Sequence, residues 1–159
     1  MTPNTRTIFK KNDDLQTPQF LIDALGPFDL DPCAGLNTTI GKQNYCIDRD
    51  EDGLTLPWTG FVYCNPPFSQ KEIWIEKMIA HNNGILILPE RGSAPWFGPL
   101  AQSVGYYFVM GKKIDFVNGP SSNNLGSCLF PFGPIAKNRI YYSGLPGHMN
   151  KVQFFTARK

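Results

Sequence analysis

Phe61-Val62-Tyr63-Cys64-Asn65-Pro66-Pro67-Phe68-Ser69 is the stretch on which the fold turns. An apolar, β-prone run ends in Asn-Pro-Pro-Phe, which can form neither helix nor inner strand. Each proline fixes its own φ, lacks an N–H and restricts the residue before it. The chain must therefore leave a sheet here in a stiff, extended turn. That turn presents an amide side chain, carbonyl groups and an aromatic ring at the carboxyl end of a strand. Ligands of open α/β sheets bind at that edge. An amide oxygen accepts from an amine and a ring stacks on a base, so the device suits a flat heterocycle carrying an amino group.

Working outward, Gln70–His81 places Ile73, Trp74, Ile75, Met78 and Ile79 at helical spacing, and Asn82-Asn83-Gly84 closes it. Ile85–Leu88 is a continuous apolar strand, as a parallel sheet buried on both faces requires. Upstream, Thr17 as N-cap and Pro18 at the first helical position open a helix that runs to Leu25 and ends at Gly26-Pro27. Phe28–Asp31 is a short strand, followed by a turn at residues 32–35 and an irregular polar segment at 36–53 with a short strand at Asn44–Ile47. A short helix is expected over Ala94–Ser103, confined by Pro95 and Pro99. Short strands are expected at Tyr106–Met110, Ile114–Val117, Cys128–Pro131 and Arg139–Tyr142. This order predicts an α/β domain with a mostly parallel sheet and an antiparallel edge. Residues 1–13 are polar and read as a mobile arm, leaving 14–159 as a single domain.

The 159 residues suit one ordinary domain, and a hydrophobic content of 42% supplies a core. No run approaches the roughly 20 apolar residues of a membrane span, and no charged-then-apolar start marks a signal peptide. Cys33, Cys46, Cys64 and Cys128 form no C-x-x-C pair, so no metal site is expected. Cys46 and Cys64 read as small buried hydrophobes with reduced thiols, which fits a cytoplasmic protein. A formal charge of +2 allows contact with nucleic acid without arguing for it. Any such face would come from local clusters among Lys42, Lys71, Lys112, Lys113, Lys137 and Arg139, each equally readable as a solubilising charge. Trp58, Trp96 and Phe97 read as core, and Asn118–Ser127 as an ordinary surface turn.

Three further motifs precede the turn. Gln16-Thr17-Pro18 opens the first helix. Asp31-Pro32-Cys33-Ala34-Gly35-Leu36-Asn37-Thr38 follows a strand. Asp52-Gly53-Leu54-Thr55-Leu56-Pro57-Trp58 comes just before the Asn65 strand. In this order they resemble the S-adenosylmethionine-dependent amino-methyltransferases, and most nearly the small phage-type Dam-like DNA adenine methyltransferases. The resemblance covers roughly residues 14–120 and implies a Rossmann-like methyltransferase fold. It implies S-adenosylmethionine as cofactor, held by Thr17, Asp31, Pro32, Cys33, Ala34, Gly35, Asp52 and Asn65. Asp31 would face the cofactor's ammonium and Thr17 at a helix start its carboxylate; Asp52 would face its adenine amine, in a stretch that Asp48, Asp50 and Glu51 also crowd, with Asp48 the weaker candidate for the ribose. Asn65, Pro66 and Phe68 would carry catalysis on a flipped adenine of DNA, which is the implied partner. No strong general base is needed or evident.

Two departures stand out. Asn37 replaces a second glycine, which calls on asparagine's tolerance of left-handed φ, and Cys33 replaces an aromatic. Only 20 residues separate Asp31 from Asp52, where a full methyltransferase fits two helices and two strands. The fold is therefore expected to be trimmed. The same chemistry would serve an RNA base or a protein glutamine amide. A non-catalytic module that binds cofactor or nucleic acid is the alternative from a different class.

Overall fold

The computed structural model of the chain describes residues 6–9, 17–109 and 126–150. A seven-stranded sheet carries helices on both faces. In chain order the elements are α1 (Gln19–Leu25), β1 (Phe28–Asp31), β2 (Gly41–Asn44), β3 (Val62–Cys64), α2 (Lys71–His81), β4 (Gly84–Pro89), α3 (Phe97–Val104), β5 (Tyr106–Val109), β6 (Ser127–Phe132), α4 (Gly133–Tyr141) and β7 (Gly147–Asn150). Single helical turns lie at Ile47–Arg49 and Phe68–Gln70. The strand order is β2-β1-β3-β4-β6-β5-β7. Strands β2, β1, β3 and β4 pair in parallel, while β6 pairs antiparallel with both β4 and β5, and β7 antiparallel with β5. The sheet is thus parallel at its core with an antiparallel edge, as the sequence suggests.

Alternation along the central strands builds two cores. Leu86 and Leu88 of β4, with Cys128, Phe130 and Phe132 of β6, face Trp74, Ile75 and Met78 of α2 and Phe97, Leu100 and Ala101 of α3. Ile85 and Ile87, with Leu129, face Leu21 and Leu25 of α1 and Ala136 and Ile140 of α4. A strand's side chains point to opposite faces in turn, so an unbroken apolar run is what a two-sided core demands. Gly84 sits where a Cβ would fall 2.4 Å from the Val62 carbonyl oxygen, which lets β4 close on β3.

Several local expectations change. Pro18, not Thr17, is the N-cap of α1, and no side chain caps that helix. The Thr17 hydroxyl instead meets the Tyr63 hydroxyl at 2.8 Å, because a buried phenol on β3 needs a partner more than an exposed helix end does. The second strand is Gly41–Asn44 rather than Asn44–Ile47. A Cβ on Gly41 would fall 2.7 Å from the Asp31 nitrogen, so glycine is what brings this strand against β1. Arg139–Tyr142 is not a strand: residues 139–141 end α4, and Tyr142 caps it. Proline in the first turn starts that helix, and Ala136 and Ile140, four apart, bury one face; this pattern outweighs the β-preference of Ile-Tyr-Tyr. The edge strand β7 is exposed and carries no apolar alternation, so sequence reading missed it. The expected strand at Ile114–Val117 lies outside the described residues. No helix among the described residues is long and apolar enough to cross a membrane.

Candidate functional site

Strand order reverses between β1 and β3: the chain turns to β2 on one side and, after its return, to β4 on the other. Leu30 pairs with Val62 across this junction. Asp31 ends β1 and Cys64 ends β3, so Asp31-Pro32 and Asn65-Pro66 leave the sheet side by side at its carboxyl edge. A crevice at such a reversal is the expected ligand site of an open α/β sheet. Two of the motifs read from sequence therefore meet where the topology puts a site.

Asp31 is 3% exposed. Its carboxyl accepts a hydrogen bond from the Cys33 N–H at 3.0 Å, and among the described residues no ion pair reaches it. Burial pushes its pKa up to about 7, against the pull of that hydrogen bond. Its charge reaches β3, where burial and then Asp31 hold the Cys64 thiol well above its ordinary range. The turn is tied to the residue that follows β2 by Tyr45 N–H to Asp31 carbonyl and Ala34 N–H to Tyr45 carbonyl, both 2.9 Å. Ala34 is buried and Gly35 half-buried, while Leu36 and Asn37 are exposed. Asn37 does not use the left-handed region, so its replacement of glycine is not called on for backbone freedom.

Pro66 and Pro67 are buried and Asn65 and Phe68 half-buried. The Gln70 N–H closes a helical turn on the Pro67 carbonyl at 2.9 Å, which sets Phe68 just past the two prolines at the carboxyl edge of the sheet. Its ring meets Trp96 edge-on at 6.1 Å between centroids. The Lys71 ammonium lies 4.5 Å from the Phe68 centroid and the Arg91 guanidinium 5.7 Å from it. Trp96 also packs on Phe97 at 5.5 Å and against the core, as Trp58 does through Trp74 and Phe97 through Phe130, so all three keep the core role read from sequence.

The Asp52 loop reaches the site through backbone. A Cβ on Gly53 would fall 1.9 Å from the Pro32 carbonyl oxygen, so this loop lies directly on the Asp31-Pro32 turn. From α2, the Lys77 ammonium donates to the Leu54 and Leu56 carbonyls at 2.9 and 2.7 Å and lies over Trp58. Trp58 Nε1–H donates to the Gly53 carbonyl, and the Tyr45 hydroxyl to the Pro57 carbonyl, each at 2.8 Å. The Asp52 carboxylate accepts from Thr7, in the segment read as a mobile arm: Thr7 N–H to Oδ2 at 2.9 Å and Thr7 Oγ1–H to Oδ1 at 2.5 Å. Leu54 N–H adds a third bond to Oδ1 at 2.9 Å. Burial raises the Asp52 pKa, but the Thr7 and Leu54 hydrogen bonds outweigh it and hold the group below the usual carboxylate range. Sequence reasoning missed Thr7, Gln70 and Lys77. No spacing signals a contact between residues 45 apart, and only the position of Gln70 beside the Asn-Pro-Pro-Phe turn hinted at a role.

The sequence model of the DNA N-6-adenine-methyltransferase (Dam) family matches residues 4–145. The chain belongs to this family. The matched span contains Thr7, Asp31, Asp52 and the Asn65 turn. A DNA N-6-adenine-methyltransferase of Escherichia phage T1 is 27% identical over 157 residues, covering 79% of this chain and 65% of that protein. The chain therefore spans less than two-thirds of that relative's length. No solved structure matches it. Within this Dam-family chain, Asp31 at the end of β1 and the Asn65-Pro66-Pro67-Phe68 turn after β3 stand at neighbouring strand ends.

Proposed function

We propose that the chain methylates the exocyclic amine of adenine in DNA, with S-adenosylmethionine as donor, on a trimmed Rossmann-like methyltransferase fold. The observation that carries this reading is the buried Asp31 carboxyl beside the Asn65 turn at the sheet's reversal point. A carboxyl that is 3% exposed and held by a backbone N–H fits a cationic ligand group, because an ionised acid is costly to bury without a partner. The methionine ammonium of S-adenosylmethionine would supply that charge. Thr17, Pro32, Cys33, Ala34, Gly35 and Asn65 would line the rest of its site, and Asp52 would either meet its adenine or act through the loop that carries it. When bound, the cofactor supplies the electrophilic methyl of a sulfonium. The short, helix-free link from β1 to β2 supports the trimming.

The chain's own part is positioning. The Asn65 side-chain oxygen and the Pro66 carbonyl accept the two amine hydrogens of adenine. This draws the nitrogen lone pair out of the ring and fixes its direction, so orientation and a dry, preorganised site lower the barrier. The Phe68 ring stacks on the base. Such stacking is worth about 1–3 kcal/mol and offsets part of the few kcal/mol needed to unstack it. The two prolines hold the acceptors rigid, so little entropy is lost when substrate arrives.

The test is transfer of labelled methyl to unmethylated double-stranded DNA, with single-stranded DNA, RNA and protein as controls, followed by digestion to nucleosides. Label on the adenine amine, lost by at least about 100-fold in Asn65→Ala at saturating cofactor, is the expected result. Label in RNA or protein alone would move the acceptor. Cofactor binding with no transfer to any acceptor would leave a binding module and overturn the reading.

A further inference from the structure

Residues 6–8 join two parts of the site that the sheet itself does not connect. Thr7 is 5% exposed and Asp52 8% exposed. One step along the segment, the Ile8 N–H donates to Gln70 Oε1 at 2.8 Å, and Gln70 Nε2 donates to the Arg6 carbonyl at 3.0 Å. The Gln70 amide thus exchanges two hydrogen bonds with the backbone, as a neighbouring strand would. Arg6 adds an exposed ion pair to Asp50 at 3.1 Å. The segment is fastened on one side to the loop that lies on Pro32, and on the other to the turn that follows Asn65-Pro66-Pro67-Phe68.

We propose that Arg6–Ile8 is a strap that sets the spacing of the cofactor crevice, with Thr7 and Gln70 as positioning residues for cofactor binding. The proposal rests on the reading of the site as an S-adenosylmethionine site. Three donors already occupy the Asp52 oxygens, against roughly four acceptor positions on a carboxylate. Asp52 therefore works chiefly by holding the strap, and acts on the cofactor through the loop it carries. Gly53 transmits the position: with no room for a Cβ beside the Pro32 carbonyl, a shift of Asp52 moves the Asp31-Pro32 turn. Lys77 hangs the same loop from α2. Loss of the strap therefore leaves the loop attached but free to move relative to Asn65. The competing use of the same contacts is an internal blocker, in which Thr7 holds the acceptor that adenine needs. The two uses predict opposite signs.

The full chain is compared with Thr7→Val, Thr7→Ser and Gln70→Ala by calorimetric binding of S-adenosylmethionine, steady-state methyl transfer and thermal melting. Thr7→Val, which loses one charge-assisted bond, and Gln70→Ala, which loses two neutral ones, are each expected to raise the cofactor Kd and KM about tenfold. At saturating cofactor, kcat and the KM for DNA stay near wild type, and Thr7→Ser restores the cofactor Kd. An unchanged Kd would overturn the strap. So would a tighter Kd, which would make Thr7 a blocker, or a loss in Thr7→Ser equal to that in Thr7→Val. A wild-type chain that binds no S-adenosylmethionine overturns the underlying reading and the strap with it. Wild-type binding with indifferent variants overturns the strap alone.

Discussion

Asp31 is the residue at which stability and the proposed function pull apart. Its folded pKa is about 7, raised from 3.8 by burial. Between these values the unfolded chain has released the proton and the folded chain keeps it. The folded state therefore binds more protons, and stability falls as pH rises from about 4 to about 7. Asp31→Asn removes this dependence. The variant is expected to gain on wild type in denaturant midpoint as pH rises through that window, by at most roughly 1.4 kcal/mol for each pH unit crossed. A ligand ammonium reverses the preference by favouring the ionised form. Wild-type cofactor binding should therefore tighten as pH rises towards 7 and release a proton below it. Asp31→Asn should bind at least about tenfold more weakly, with a flat profile. Calorimetry in buffers of different ionisation heat reads both. A wild-type affinity independent of pH from about 5 to about 8 would remove Asp31 from the ammonium site.

At the scale of elements, the site hangs on loops, and the loops hang on side chains from elsewhere. Lys77 on α2 is the clearest case. Burial lowers its pKa, while the Asp52 charge opposes that shift. Its ammonium satisfies two carbonyls of the acidic loop. Lys77→Met keeps the stem that packs by Trp58 and strips both carbonyls of their donor. The expected cost is about 1–3 kcal/mol in a chemical denaturation curve, with weaker cofactor binding. Gly53→Ala is harsher on function, since its Cβ would meet the Pro32 carbonyl at 1.9 Å; cofactor binding should be lost while the far side of the sheet stays folded by far-UV circular dichroism. These elements also show what was legible in advance. β1, β3, α2 and β4 could be read because apolar period and Pro/Gly punctuation agree there with the tertiary structure. The placement of Asp31 and of the Asn65 turn at strand ends could be read because Pro/Gly punctuation is local, while their roles rest on the proposed function. Thr7–Asp52 and Ile8–Gln70 could not, since polar contacts 45 and 62 residues apart leave no periodic trace. Strand β7 failed for a related reason: it is held by backbone pairing to β5, with no buried face to write a pattern.

For the whole molecule, a formal charge of +2 would give DNA little general attraction, so on the proposed reading affinity would come from where the cations stand. Several are spoken for by the fold. Arg139 donates to the Leu25 and Pro27 carbonyls and lies 4.4 Å from the Phe61 centroid, which staples α4 to the end of α1. Lys42 pairs with Asp29 at 3.1 Å. Lys112 and Lys113 lie outside the described residues. At the crevice, Lys71 and Arg91 flank the Phe68 ring on which the base would stack. A base turned out of a duplex brings its own phosphates to that rim, and Arg91 is exposed there. Neutralising a phosphate releases a counterion, which appears as about 0.9 in the slope of log affinity against log salt. Arg91→Ala is therefore expected to lower the magnitude of that slope by about 1 and to weaken DNA binding uniformly across sequences, with cofactor affinity unchanged. Lys42→Ala, far from the rim, should leave the slope where it was. Equal effects from the two substitutions would mean that DNA answers to overall charge rather than to the mouth of the crevice. The ring, the prolines and Asn65 would then have to capture the base without a neighbouring anchor.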